Sequence, residues 1–189
     1  RLLKIKTQGR DESIANHINY PYEPTPYSVL ERLAASEYIG KKNVLLDYGC
    51  GKGRVDFYLS YQTRCRSIGV DYDGRMIGTA LENQKTGVSG NRVQFVCENA
   101  AAFMVPKDVD RCYFFNPFSV EVLKGVLSRI MESYYENPRE ILLFFYYPSE
   151  DYVANLVMQD ELTFCDEIAC NDLFEGENDR ERILIFSIG

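Results

Sequence analysis

The chain has 189 residues, of which 46% are hydrophobic and 26% charged, and its net charge is −7. That length suits one domain with a sizeable buried core; no apolar run is long enough for a membrane span, and the acidic balance weighs against a duplex-binding protein, which carries a basic face. Its six cysteines (Cys50, Cys65, Cys97, Cys112, Cys165, Cys170) contain no C-x-x-C pair and its one histidine is His17, so it reads as a cytoplasmic protein from a reducing compartment, with neither disulfides nor a metal site and with no signal peptide.

Residues 1–19 are polar, and Ile14 and Ile18 hint at one helical turn. Arg1, Lys4, Lys6 and Arg10 read as a solvated tail, with a docking arm as the alternative. In Tyr20-Pro21-Tyr22-Glu23-Pro24-Thr25-Pro26-Tyr27 three prolines fix φ and hold their predecessors extended. This stiff aromatic segment is either a linker or a wall over a ligand site. Residues 1–26 are therefore set apart as an arm or lid, and 27–189 as the domain proper. Leu30, Leu33, Ala34 and Tyr38 predict an amphipathic helix ended by Gly40.

Val44-Leu45-Leu46 predicts a strand, and Val55, Tyr58 and Leu59 fall at helical spacing. Between them runs Asp47-Tyr48-Gly49-Cys50-Gly51-Lys52-Gly53-Arg54. The order is strand, glycine turn, helix. Alternating glycines permit a sharp turn and a close approach to the backbone, and the helix N-terminus favours acceptor groups. A dinucleotide fingerprint would be G-x-G-x-x-G. The spacing here is G-x-G-x-G, which argues against a nicotinamide-dependent oxidoreductase, and Asp47 suits a cationic amino group better than a pyrophosphate.

Ser67 to Asp71 predicts the second strand, whose terminal carboxylate lies 22 positions after Gly49 (71 − 49). That is the spacing at which an acid reaches ribose hydroxyls in a βαβ unit. Asp73-Gly74 opens the next helix, marked by Ile77, Ala80 and Leu81, with Asp73 as its cap. Arg92 to Cys97 predicts a third strand running into Glu98-Asn99-Ala100, and Arg111 to Phe115 a fourth, ending in Asn116-Pro117-Phe118-Ser119. Leu123, Val126, Leu127, Ile130, Met131 and Tyr134 mark a long helix. Ile141 to Tyr147 is the fifth strand; Pro148-Ser149 starts a helix with Val153, Leu156 and Val157. Leu162 to Ile168 and Ile183 to Ile188 are the last strands, joined without helical signal by Asn171 to Asp179 as an antiparallel hairpin.

The Asp47–Gly53 stretch closely resembles motif I, D/E-x-G-x-G-x-G, of the class I S-adenosylmethionine-dependent methyltransferases. The resemblance covers residues 20–189 and implies an α/β, Rossmann-like three-layer sandwich, with a seven-stranded, mostly parallel sheet whose last strand is antiparallel. It implies S-adenosyl-L-methionine as cofactor, with its methionine end at Asp47, Gly49, Cys50, Gly51 and Gly53. Its ribose would lie at Asp71 and its adenine at Asn99, where most relatives carry Asp, with Tyr72 and Ala100 also among the cofactor-binding residues. Asn116-Pro117-Phe118 resembles the N/D-P-P-Y/F motif of enzymes that methylate amino or amide nitrogens, with one proline missing. On that likeness Asn116, Pro117 and Phe118 are the catalytic candidates, and Asn116 also borders the cofactor.

Methyl transfer from a sulfonium needs no metal, and what it demands of a protein is proximity and orientation. No His or Cys near these motifs is an obvious base. Tyr22, Tyr27, Phe118 and Tyr146 are candidate pocket walls. The acceptor is unidentified: a small molecule or protein is favoured over RNA, and the oligomeric state is open. The alternative is a protein of the same fold that binds the cofactor or a partner without catalysis.

Overall fold

The computed structural model describes residues 2–11, 20 and 22–189. The residues named above as Arg1, Ile14, His17, Ile18 and Pro21 lie outside the described residues. In chain order the elements are α1 (Tyr27–Ala35), β1 (Val44–Tyr48), α2 (Arg54–Thr63), β2 (Arg66–Asp71), α3 (Gly74–Thr86), β3 (Val93–Cys97) and β4 (Arg111–Phe114). Then follow α4 (Val120–Glu136), β5 (Ile141–Tyr146), α5 (Glu150–Val157), β6 (Thr163–Ala169) and β7 (Arg182–Ile188).

The seven strands form one sheet in the order β3-β2-β1-β4-β5-β7-β6. All neighbours from β3 to β5 are parallel, while β7 is antiparallel to both β5 and β6. β1 and β5 are buried along their whole length, as central strands covered on both faces must be. On one face Leu46, Tyr48, Phe114 and Phe145 meet Leu123, Val126 and Ile130 of α4 and Tyr152 of α5. On the other, Leu45, Tyr113 and Phe144 meet Val29, Leu30 and Leu33 of α1 and Val55 and Leu59 of α2. The chain leaves β1 toward β2 and β3, then returns to lay β4 on the opposite side of β1. The carboxyl ends of β1 and β4 are therefore the switch point, where an open sheet leaves a crevice for a ligand.

Four local expectations change. The first helix stops at Ala35, not at Gly40. The Ser36 hydroxyl donates to the Leu33 carbonyl at 2.6 Å, Glu37 takes φ +65°, and Tyr38 leaves the helix stripe to donate to Asp166. Arg92 precedes β3 in a short 3₁₀ turn, its guanidinium bonded to Ser60, and the β6–β7 connection carries a 3₁₀ turn at Asn171–Leu173. Finally, residues 2–11 are a docked arm, not a solvated tail. Leu3 and Thr7 are buried. The Asn83 side chain clasps the Lys6 backbone, accepting from its N–H at 2.8 Å and donating to its carbonyl at 2.9 Å.

Candidate functional site

β1 runs straight into the glycine bend, where Gly49, Gly51 and Gly53 have φ of +73°, +52° and +89°. The bend is pinned to β2: the N–H groups of Gly49 and Cys50 both donate to the Val70 carbonyl, at 2.8 and 3.1 Å. Each glycine makes room for a different protein side chain. A Cβ on Gly49 would meet Pro117 at 2.5 Å, one on Gly51 the Tyr22 ring at 1.9 Å, and one on Gly53 the Phe95 ring at 2.6 Å. Glycine was expected here so that a ligand could reach the backbone. Gly49 and Cys50 do line a cleft, but Gly51 and Gly53 stand behind it, covered by Tyr22 and Phe95.

Two carboxyls are buried beneath the bend. Asp47 is 2% exposed and Asp56, in the first turn of α2, is fully buried. They are close enough to perturb each other, and the Ser67 hydroxyl donates to Asp56 Oδ1 at 2.6 Å. Among the described residues no N–H or O–H reaches Oδ2 of either. Burial, then the neighbouring Asp56, raises Asp47 well above the usual carboxylate range, and burial raises Asp56 to about 6. Asp71 is also raised by burial, opposed by N–H donors from Asp73 and Gly51 at 2.9 Å each. Asp73 caps α3 as expected, accepting from the Arg75 N–H.

Beside these acids sits Arg54, nearly buried. Its guanidinium donates to the Thr7 hydroxyl and carbonyl and to the Thr25 carbonyl and stacks on Tyr27, 4.4 Å from the ring centroid. Sequence reading quoted Arg54 but gave it no role, and passed over Asp56. The signal was present: polar side chains on the inward face of a helix that follows a ligand-type bend.

The cleft at the switch point holds about 1140 Å³ with its open mouth included. Asp47, Gly49, Cys50, Asp71, Tyr72, Asn99 and Ala100 line it, together with Pro117 and Phe118. It also takes in Tyr22, Thr25, Arg54 and Glu98. Asn99 uses Oδ1 to accept from Ala101 N–H at 2.9 Å, capping its own turn. Of the four candidate walls, Tyr22 and Phe118 line this cleft, Tyr146 lines a second one, and Tyr27 lines neither.

Asn116 departs from its expected part. Its amide donates to the Tyr147 carbonyl and accepts from Ser149 N–H, so both ends are committed to the β5–α5 turn. Its φ of +39° turns it away from the first cleft and into the lining of the second. The Pro117 carbonyl accepts from Tyr20 N–H, and Phe118 is buried with its carbonyl accepting from the Tyr152 hydroxyl. The three residues form a partition between two clefts. Among the described residues no group of His, Cys, Asp and Glu is arranged to hold a metal ion, and no helix is long and apolar enough to cross a membrane.

Comparison with known proteins now bears on this geometry. Residues 45–135 match the family model described as a methyltransferase domain. A protein-lysine N-methyltransferase of Saccharolobus islandicus (strain REY15A) is 32% identical over 72 residues, which are 37% of this chain and 45% of that protein. The chain thus spans under half the length of that curated relative. An RNA methyltransferase from Salinibacter ruber, solved with S-adenosyl-L-homocysteine, superposes with a TM-score of 0.55 at 17% identity, over 88% of this chain and 94% of that one. Magnesium protoporphyrin IX methyltransferase from Synechocystis PCC 6803 gives 0.60 at 16%, over 86% and 81%. At such identities the structural likeness carries the fold. The matched residues, the glycine bend and the sheet order together give this chain a methyltransferase-type domain with the Rossmann-like fold of those solved structures.

Proposed function

We propose that the chain is an S-adenosylmethionine-dependent methyltransferase whose cofactor occupies the cleft at the switch point. One observation carries the reading: Asp47, Arg54, Asp71 and Glu98 line a single cleft at the carboxyl ends of β1, β2 and β3. This donor set fits the cofactor. The Asp47 carboxyl suits an ammonium group and Arg54 a carboxylate, the two ends of an amino-acid tail. Asp71 keeps acceptor capacity for a ribose diol, because each oxygen takes one backbone N–H and has a second lone pair. Tyr72, Asn99 and Ala100 border the place of the adenine. When bound, S-adenosylmethionine supplies an electrophilic methyl group on its sulfonium.

The protein's own residues position and enclose. Tyr22 closes the glycine bend from above, and its hydroxyl is tied to the Thr7 carbonyl at 3.0 Å. Residues 1–26 act as a lid over a catalytic domain of residues 27–189, and Asn116, Pro117 and Phe118 hold the wall between cofactor and acceptor. The acceptor atom is a nitrogen, a reading supported by the lysine-methylating relative. The enzyme works in the cytoplasm, as the buried free thiols of Cys50, Cys65, Cys112 and Cys170 suggest.

Calorimetric titration of S-adenosylmethionine tests this. Wild type should bind with micromolar affinity and Asp71→Ala at least about tenfold more weakly, about 1.4 kcal/mol. No binding by wild type would end the reading; equal affinity would remove Asp71 from it. A second reading, cofactor binding without catalysis, is favoured by the commitment of the Asn116 amide to the backbone. Transfer of a labelled methyl group to any acceptor excludes it.

A further inference from the structure

A second cleft lies on the other side of the Asn116 partition, holding about 1100 Å³ with its mouth included. It abuts the first: Tyr20, Glu23 and Phe115 line both. Its other walls are aromatic. Phe115 packs on Tyr146 with centroids 4.7 Å apart and meets Tyr147 edge-on at 6.4 Å, and Phe174 faces in from the β6–β7 connection. Two carboxylates border the space, Glu23 and Glu181; Glu181 is oriented by the Tyr146 hydroxyl, which donates to Oε2 at 2.6 Å.

The one basic side chain in the lining is already engaged. Arg180 lies over the Tyr147 ring, 4.2 Å from its centroid. Its Nε and Nη2 donate to the carbonyls of Pro148 and Tyr147 at 3.3 Å each. An aromatic face of this cleft thus already carries a cation. Ring faces and carboxylates both attract positive charge. An anionic acceptor would face two carboxylates against one committed guanidinium. A nucleobase would look for a free amide to read its edge, and the Asn116 amide is bonded at both ends.

Resting on the methyltransferase reading of the first cleft, we propose that the second cleft receives the alkylammonium group of the methyl acceptor, between the Phe115, Tyr146 and Phe174 rings and the Glu181 carboxylate. For transfer the ammonium first sheds one proton, to the Glu23 carboxylate that lines both clefts and on to solvent. The nitrogen lone pair then forms the N–C bond as the C–S bond breaks, and the bonding pair stays with sulfur, which becomes a neutral thioether.

The test is calorimetry on protein saturated with S-adenosylhomocysteine, titrated with n-pentylamine, Nα-acetyl-lysine amide, 1-pentanol and pentanoate. At least one amine should bind tenfold or more tightly than pentanol, with pentanoate giving no heat. Binding of the lysine amide alone assigns a peptide side chain as the source; binding of pentylamine alone assigns a small amine. Glu181→Gln should weaken amine binding fivefold or more while leaving S-adenosylhomocysteine affinity unchanged, and Phe174→Ala should act in the same sense should the first variant not fold. Pentanol or pentanoate binding as tightly as the amines, or amine affinity unchanged in both variants, overturns the proposal. Failure of S-adenosylhomocysteine itself to bind counts against the cofactor reading instead, and the amine titration on the unloaded protein still decides the second cleft.

Discussion

Gly51 and Tyr22 together decide whether the bend stays covered. A methyl group at Gly51 would sit 1.9 Å from the Tyr22 ring, on a backbone with φ +52°. Gly51→Ala must therefore expel the ring and bear a left-handed alanine, together about 1–3 kcal/mol; thermal denaturation should show the loss, with Tyr22→Ala in the same chain recovering the steric part of it. The buried acid pair makes a different prediction. Burial holds Asp56 at about 6 in the fold, against about 3.9 for an unfolded aspartate. The folded state thus binds the proton more tightly. The pair's contribution to stability is fully present below pH about 4 and is lost as pH rises through about 6. Asp56→Asn, which still accepts from Ser67, should gain on wild type by about 2 kcal/mol between pH 4 and pH 7.5, measured by urea unfolding at the two pH values.

At the scale of elements, the arm and the partition are both side chain-to-backbone clasps between segments far apart in sequence. Residues 2–11 are held by Asn83, by Arg54 and by the Thr86 hydroxyl donating to the Lys4 carbonyl. Asn83→Ala leaves the Lys6 N–H and C=O without their partner, a penalty of about 1–3 kcal/mol, and should release the arm before the rest of the fold; faster proteolytic nicking near residue 10 with an unchanged far-ultraviolet spectrum would register it. Asn116→Ala frees the Tyr147 carbonyl and the Ser149 N–H at the start of α5. We expect a stability loss of about 1–3 kcal/mol, and a rise in KM for the acceptor exceeding any change in cofactor affinity. An Asn116 that held the acceptor directly would lower kcat as well.

For the molecule as a whole, one sheet separates two cores. Phe114 lies on one face, stacked between Tyr48 and Phe145 at centroid distances of 4.9 and 4.6 Å; Phe144 lies on the other. Each substitution by alanine should cost about 3–5 kcal/mol, and the two should add within a single unfolding transition, because a shared sheet couples the faces into one cooperative unit. Two transitions in the double variant would contradict that. The strands and their succession along the chain were legible in the sequence because apolar runs and helical stripes are local, with a period of two or 3.6 residues. Asp73 was legible as a helix cap for the same reason, since it acts on an N–H two residues from its own position. The Asp47–Asp56 pair, the Tyr22 cover on Gly51, the docked arm and the commitment of Asn116 were not. They join residues from 9 to more than 80 positions apart in the chain, or turn on which way one amide points. The sequence by itself determined a glycine-lined bend tipped with acid at the end of a parallel strand. Only the tertiary structure decided that this bend is roofed by the chain's own tyrosine and flanked by a second, aromatic cleft, because burial and hydrogen-bond competition between distant segments exist only once the chain has folded.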